Sequence, residues 1–280
     1  MLMDGRALAE RIRAELKDEV ARRGRVGLAT VLVGDDPASE IYIRLKHKAL
    51  DEVGIEARDI RLPSDTPQDE VARTVEELNA DDAIDGMLVQ LPLPKHLDEK
   101  AIVRTIDPVK DVDGLHPVNA GLLYLGRPGH VPATPLGIMR LLAEYDVPLE
   151  GARAVVVGRS VIVGKPVGLL LLAANATVTV CHSRTVDLEA RTREADVLVV
   201  AVGSDRLIGP GGVKEGATVV DVGMNRSDAG LYGDVDPSAN QVAGRMTPVP
   251  GGVGPMTIAM LLENAVRASK FRSGEVAFPF

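Results

Sequence analysis

The sequence predicts an α/β protein whose second half is a Rossmann-like, parallel-sheet nucleotide-binding domain, and three observations carry that prediction. Residues 152–184 read as strand, glycine turn, helix, strand: the apolar run 154–157 ends at Gly158, an apolar segment follows Gly164, and a second apolar run spans 177–181. The first half alternates strand-like and helix-like segments, the pattern of a parallel sheet with right-handed crossovers. The chain has 280 residues, 45% of them hydrophobic, which is enough for two cores.

Taken in order, residues 4–22 carry Leu8, Ile12, Leu16 and Val20 at helical spacing, and Gly24 closes the helix. Residues 26–33 are a strand ended by Gly34-Asp35-Asp36-Pro37. A helix starting near Ser39 has Ile41, Leu45, Ala49 and Val53 as its buried stripe, with Ser39, Tyr42 and Lys46 on a neighbouring face. Tyr42 and Lys46 are either two side chains snorkelling at the edge of the stripe or the start of a site. Residues 57–62 are a strand. Thr66 is the expected N-cap, and Pro67 the first helical residue, of a helix over 68–79. The strand 86–91 is stopped by Pro92-Leu93-Pro94, which leaves Gln90 at a carboxyl end, where open α/β sheets place ligands; pairing to nearby loop backbone is the plainer use of such a Gln. A short helix spans 98–104. In Asp107–Pro117 the acids Asp111 and Asp113 suit an aspartate-held turn and lack the further ligands of a calcium loop. A helix over 135–145 links the halves.

In the second half the strands continue at 197–202 and 217–222, with a small hairpin near 230–235. The glycine- and proline-rich stretch 247–257 is a loop whose backbone can approach a ligand, and Pro255 opens a last helix to about Ser269. The final ten residues are expected to be loosely held.

Gly158 and Gly164 let the backbone approach a phosphate, and the helix start beyond them presents N–H groups to an anion, although glycines also mark ordinary strand–helix turns. A strand that serves NAD ends in Asp or Glu; here it ends Cys181-His182-Ser183-Arg184. With no carboxylate there, Arg159, Ser183 and Arg184 can surround a 2′-phosphate, which predicts NADP; the alternative is that they are solvated loop residues.

Lys and Arg total 32 against 40 Asp and Glu, a formal net charge of −8, which argues against a nucleic-acid surface. There is no 18-residue apolar run for a membrane, and the single cysteine, Cys181, reads as a small core residue of a cytoplasmic protein. The five histidines fall in no metal spacing, and no G-x-S-x-G is present.

Five polar signatures in order resemble one family, the bifunctional methylenetetrahydrofolate dehydrogenase/methenyltetrahydrofolate cyclohydrolases. They are Ser39-x-x-Tyr42-x-x-x-Lys46-x-Lys48, Val89-Gln90-Leu91-Pro92-Leu93-Pro94, Lys110-Asp111-Val112-Asp113-Gly114, Gly158-Arg159-Ser160-x-x-Val163-Gly164-x-Pro166 and Thr247-Pro248-x-Pro250-Gly251-Gly252-Val253-Gly254-Pro255. The similarity runs to about residue 270. It implies two α/β domains with a cleft between them: 1–118 for folate, joined by the helix 255–270, and 119–254 for NADP, with 271–280 a tail. It also implies NADP-dependent oxidation of 5,10-methylenetetrahydrofolate, then hydrolysis to 10-formyltetrahydrofolate. Folate would meet Tyr42, Lys46, Gln90, Asp113, Pro250, Gly251 and Gly252, the first four forming the catalytic set. NADP would meet Gly158, Arg159, Ser160, Ser183 and Met224, no metal would take part, and the protein would be a homodimer through its NADP-binding domains.

In that reading Lys46, desolvated and near Lys48, has a lowered pKa and serves as base or relay, held by Gln90; Asp113 binds the pterin and Tyr42 stacks on the p-aminobenzoyl ring. One departure is Ala133, where the family often carries Cys; the chemistry needs no thiol there. A dehydrogenase without hydrolysis, one acting on a methanopterin, and a nucleotide-sensing module without turnover are the competing readings.

Overall fold

A computed structural model describes residues 1–34, 37–227 and 230–280, apart from the side chains of 37–43 and 227. The chain forms two compact units, Arg11–Ala133 with Ile258–Phe280 and Met1–Glu10 with Thr134–Thr257. They are called here the first and the second unit.

Helix α1 (Gly5–Arg23) buries Leu8, Ile12, Leu16 and Val20 and ends at Gly24, whose φ of 81° is the left-handed turn that glycine allows. Strand β1 (Gly27–Val33) is buried along its whole length because it is central: β2 (Glu56–Leu62) and β3 (Gly86–Val89) pair with it in parallel on its two sides. The charged sequence of β2 suits its edge position. Between the strands run α2 (Pro37–Val53) and α3 (Gln68–Ala80). The core beneath includes Val31, Val71, Val75, Met87 and Ile102.

Two expectations are corrected here. Leu45 is 49% exposed, whereas Ala49, Leu50 and Val53 are buried. The inward face of α2 is therefore 46, 49, 50, 53, one helical step round from the expected stripe, and Lys46 lies on it. Thr66 does not cap α3. Its hydroxyl turns back to the Pro63 carbonyl at 2.8 Å, and Pro67 stands at the N-cap, one position earlier than expected.

Helix α4 (Glu99–Thr105) starts at Asp98, whose carboxylate accepts from the amides of Lys100 and Ala101. Helix α5 (Pro117–Tyr124) escaped the sequence reading; His116 caps it, its Nδ1 accepting from the Val118 amide at 3.1 Å.

In the second unit α6 (Ala133–Glu144) leads to β4 (Arg153–Val157), α7 (Gly164–Ala173), β5 (Thr177–Cys181), α8 (Leu188–Thr192), β6 (Val197–Val200) and β7 (Thr218–Asp221). An antiparallel pair follows, β8 (Asn225–Ser227) with β9 (Gly230–Tyr232), then β10 (Arg245–Met246). The sheet order is β10-β7-β6-β4-β5, and every pairing in that sheet is parallel. Val157, Cys181, Val200 and Asp221 stand in one row across it. Cys181 is buried, as expected, and burial pushes its thiol pKa up.

Helix α9 (Val253–Arg272) begins two residues before Pro255, which the first turn tolerates, and runs past Ser269. The tail is not loose. Phe278 packs edge-on to Phe271 at 5.1 Å, Phe271 packs edge-on to His130 at 5.2 Å, and Arg127 donates to the carbonyls of Pro279 and Phe280.

One buried network holds the first unit together near residue 133. Asp111 Oδ2 accepts from the His116 amide and from Asn119 Nδ2; Asn119 Oδ1 accepts from the His130 amide; and His130 Nε2 lies 2.8 Å from the Val109 carbonyl. Burial raises the Asp111 pKa to about 6 and lowers that of His130 to about 4. The two slopes oppose. The raised carboxyl contributes stability below its unfolded pKa that is lost as pH rises through about 6, whereas His130 contributes stability that is lost as pH falls through about 4. Asp111→Asn can keep both donors on its oxygen and removes the first slope only. Between roughly pH 4 and 6 its urea-unfolding free energy should climb more steeply with pH than the wild type's, by about 1.4 kcal/mol per pH unit; equal slopes would refute a raised Asp111.

Candidate active site

Lys46, Gln90 and Asp113 come together in the first unit. Helix α2 turns Lys46 inward, and its Nζ donates to Gln90 Oε1 at 3.1 Å. Gln90 follows β3 directly; its amide continues the ladder to the Val31 carbonyl, and its Nε2 donates to the Leu91 carbonyl at 2.9 Å. With both amide ends engaged, the Gln90 side chain is a fixed acceptor for the lysine. Burial raises the Asp113 pKa, and the charge of Lys46 draws it back down. All three side chains are half-buried. Lys48 is not a neighbour in this group: two residues along a helix is a turn of about 200°, and its side chain is 77% exposed, with the ammonium 3.9 Å from Glu52. The Tyr42 side chain lies outside the described residues.

The stretch 110–114 shows how one motif divides its work. Lys110 Nζ donates to the carbonyls of Leu78, Asn79 and Asp81, closing the end of α3, and burial lowers its pKa. Asp111 ties down 116 and 119. The Val112 side chain is buried, and its carbonyl accepts from Asn264 Nδ2, which also reaches the Val131 carbonyl. Gly114 has φ 65°, and a Cβ there would lie 2.8 Å from the Val131 carbonyl carbon. None of these ties uses the Asp113 carboxylate, which lies within the electrostatic reach of Lys46.

In the second unit the expected cofactor residues gather at the carboxyl edge of the sheet, just beyond the row that ends β4, β5, β6 and β7. Gly158 has φ 126°, and a Cβ on it would sit 2.3 Å from the Ala201 carbonyl oxygen; one on Gly164 would sit 2.2 Å from the Gly158 carbonyl oxygen. The turn is a cradle that only glycine fits. Arg159, Ser160, Ser183, Arg184 and Met224 are exposed along this edge, and β4 between β5 and β6 is its switch point. This edge fits a dinucleotide with an extra phosphate: a glycine cradle, hydroxyl and guanidinium donors, and no acid among 182–184. One detail is corrected. The first amides of α7 are engaged, those of Val163 and Gly164 donating to Ser160 Oγ at 3.1 and 3.3 Å, so it is the serine hydroxyl that keeps a proton to offer.

The 250–252 loop has a packing reason for its glycines. Gly251 and Gly252 are buried, the Gly5 amide donates to the Gly251 carbonyl at 3.0 Å, and a Cβ on Gly5 would lie 1.9 Å from the Gly252 oxygen. Pro250 is exposed.

Residues 3–113 match the family model of the tetrahydrofolate dehydrogenase/cyclohydrolase catalytic domain, and residues 132–273 match that of its NAD(P)-binding domain. The chain belongs to the tetrahydrofolate dehydrogenase/cyclohydrolase family. Among its relatives, the bifunctional protein FolD of Sorangium cellulosum is 58% identical over 279 residues, 97% of each chain. That of Halothermothrix orenii is 55% identical over 277 residues, 96% of this chain and 98% of the relative. The solved structure of the bifunctional FolD methylenetetrahydrofolate dehydrogenase/cyclohydrolase from Campylobacter jejuni has a TM-score of 0.95 at 48% identity, covering 97% of this chain and 99% of its own. The Trypanosoma brucei FolD structure, complexed with NADP cofactor and inhibitor, has a TM-score of 0.93 at 41% identity and covers 99% of both chains. Among the described residues no helix is long and apolar enough to cross a membrane.

In this tetrahydrofolate dehydrogenase/cyclohydrolase, Gly158→Ala should lower the stability of the second unit by about 3 kcal/mol or more, through strain and overpacking. Denaturant unfolding checks this, and an unchanged midpoint would mean that the turn relaxes freely.

Proposed function

We propose that one substrate site, built on Lys46, Gln90 and Asp113, serves both reactions of the enzyme. The enzyme oxidises 5,10-methylenetetrahydrofolate to the methenyl compound with NADP and hydrolyses that product to 10-formyltetrahydrofolate. The observation that carries the assignment is the 3.1 Å hydrogen bond from Lys46 to a Gln90 whose other end is already engaged. An ammonium whose head is held by an acceptor on a strand end has a job beyond snorkelling.

NADP held at the Gly158 turn would supply the acceptor for the hydride of the one-carbon bridge. The chain's part in that step is to position: Asp113 takes hydrogen bonds from the amino group and ring N–H of the pterin, and Tyr42 stacks on the p-aminobenzoyl ring. In the second step water attacks the cationic methenyl carbon and loses a proton, and the bond from that carbon to N5 then breaks as N5 takes a proton, leaving the formyl group on N10. Lys46 relays the water's proton as base, with Gln90 fixing the lysine nitrogen. The domain 1–118, joined by 255–270, binds folate, and 119–254 binds NADP at Gly158, Arg159, Ser160, Ser183 and Met224. Arg159 and Ser183 answer the 2′-phosphate by charge and hydroxyl.

The enzyme works in the cytoplasm as a homodimer joined through its NADP-binding domains. Support for the second point is the edge position of β5 and the exposure of Leu172, Val180 and Val186 around it, 58, 43 and 77%. Light scattering after gel filtration should return twice the chain mass.

An absorbance assay with methylenetetrahydrofolate should show reduction of NADP in preference to NAD, and methenyl decay faster than in buffer. Lys46→Met should lose about a hundredfold or more of the hydrolysis, and near wild-type decay would remove Lys46 from its role. Asp113→Ala should weaken folate binding while leaving NADP affinity intact, which separate titrations with each ligand would reveal.

A further inference from the structure

We infer that Asp234 is a positioning residue for the dinucleotide, a joint that holds the loops after β6 and β7 against the Gly158 turn. The inference rests on the reading of this sheet edge as the NADP site. Asp234 is fully buried and accepts four hydrogen bonds. Its Oδ2 takes the amides of Val202 and Gly203 at 2.7 and 2.9 Å; its Oδ1 takes the Ser204 amide at 2.8 Å and Asn225 Nδ2 at 2.9 Å. Residues 202–204 are exposed, and yet their three amides are held from beneath by one carboxylate. That is the construction of a platform.

The platform touches the cofactor turn. The Ala201 carbonyl oxygen and a Val202 methyl are the atoms that a Cβ on Gly158 would meet, at 2.3 and 3.6 Å. On its other side Asp234 grips Asn225, the residue after Met224. A second carboxylate seats the joint: Asp221, at the end of β7, accepts from the amides of Asp234, Val235 and Gly223. The two acids interlock through glycines. A Cβ on Gly233 would lie 1.7 Å from Asp221 Oδ2, and one on Gly223 would lie 2.5 Å from Asp234 Oδ1. One buried side chain thus sets the relative positions of backbone after β4, β6 and β7, the surface that a dinucleotide at a switch point has to cross. An amide in place of the carboxylate turns an NH2 toward two N–H donors, so the loops must move apart.

The test is calorimetric titration of NADP into wild type, Asp234→Asn and Asn225→Ala, with methenyltetrahydrofolate hydrolysis measured without NADP on the same samples. Asp234→Asn is expected to raise the NADP dissociation constant tenfold or more, and Asn225→Ala several-fold, with hydrolysis within twofold of wild type. An Asp234→Asn protein that hydrolyses normally and binds NADP within twofold of wild type would overturn the inference. So would equal losses of hydrolysis and NADP binding in both variants, which is the mark of general structural damage. If Asp234→Asn fails to fold, Asn225→Ala decides: unchanged NADP affinity overturns the inference, and a selective loss supports it. Wild type that binds no NADP would overturn the cofactor assignment itself, a result distinct from the others.

Discussion

A carboxylate removed from water needs several N–H groups pointed at it, and the backbone that supplies them loses its freedom. Both units are organised around that requirement. In the first unit Asp111 draws in the amide of His116 and the side chain of Asn119, and the turn so formed carries Asp113. In the second unit Asp221 and Asp234 collect the amides of 202–204, 223, 234 and 235 at the edge of the sheet. The loops that supply these donors are thereby tied to fixed positions in their units. The cost of burial appears in the raised pKa of Asp111 and of Asp221, each about 6, with desolvation the first cause in both.

Much of the fold was legible because hydrophobic period and glycine position are local signals. The run 177–181 matches β5 to the residue, and Gly24, with φ of 81°, closes its helix as expected. The failures are equally local in cause. α5 was missed because Pro117–Tyr124 is short and its cap is a histidine ring nitrogen rather than a hydroxyl or carboxylate. Leu45 was placed inside because counting from Ile41 in fours ignores the 3.6-residue repeat, which by 53 favours Leu50 over Leu45. The tail, rich in polar residues as far as Glu275, gave no sign that Phe278 would find Phe271 and His130.

The site was legible in part. Lys46 and Gln90 were chosen separately, one from a helix face and one from a strand end, and 44 positions of sequence separate atoms that lie 3.1 Å apart. No period predicts that meeting; only the motifs, taken together, pointed to it. Asn119, His130, Asn264 and Asp234 were invisible, since a buried polar side chain acquires meaning only from the backbone atoms that surround it. Gly251 and Gly252 carry a packing reason that only the fold displays: the backbone of Gly5 is their close neighbour within their own unit.

The motif 110–114 shows why such residues are hard to rank from sequence. Lys110 and Asp111 are opposite charges one position apart, and an ion pair is the obvious guess. The structure separates them completely: the lysine turns to three carbonyls at the end of α3, and the aspartate turns to N–H donors at the start of α5. Each satisfies backbone that a helix end leaves unpaired. Asp113 has no such duty in the described contacts, and its carboxyl feels the charge of Lys46. A charged side chain in a motif is best judged by whether local backbone already uses it, and by that measure Asp113 differs from both of its charged neighbours.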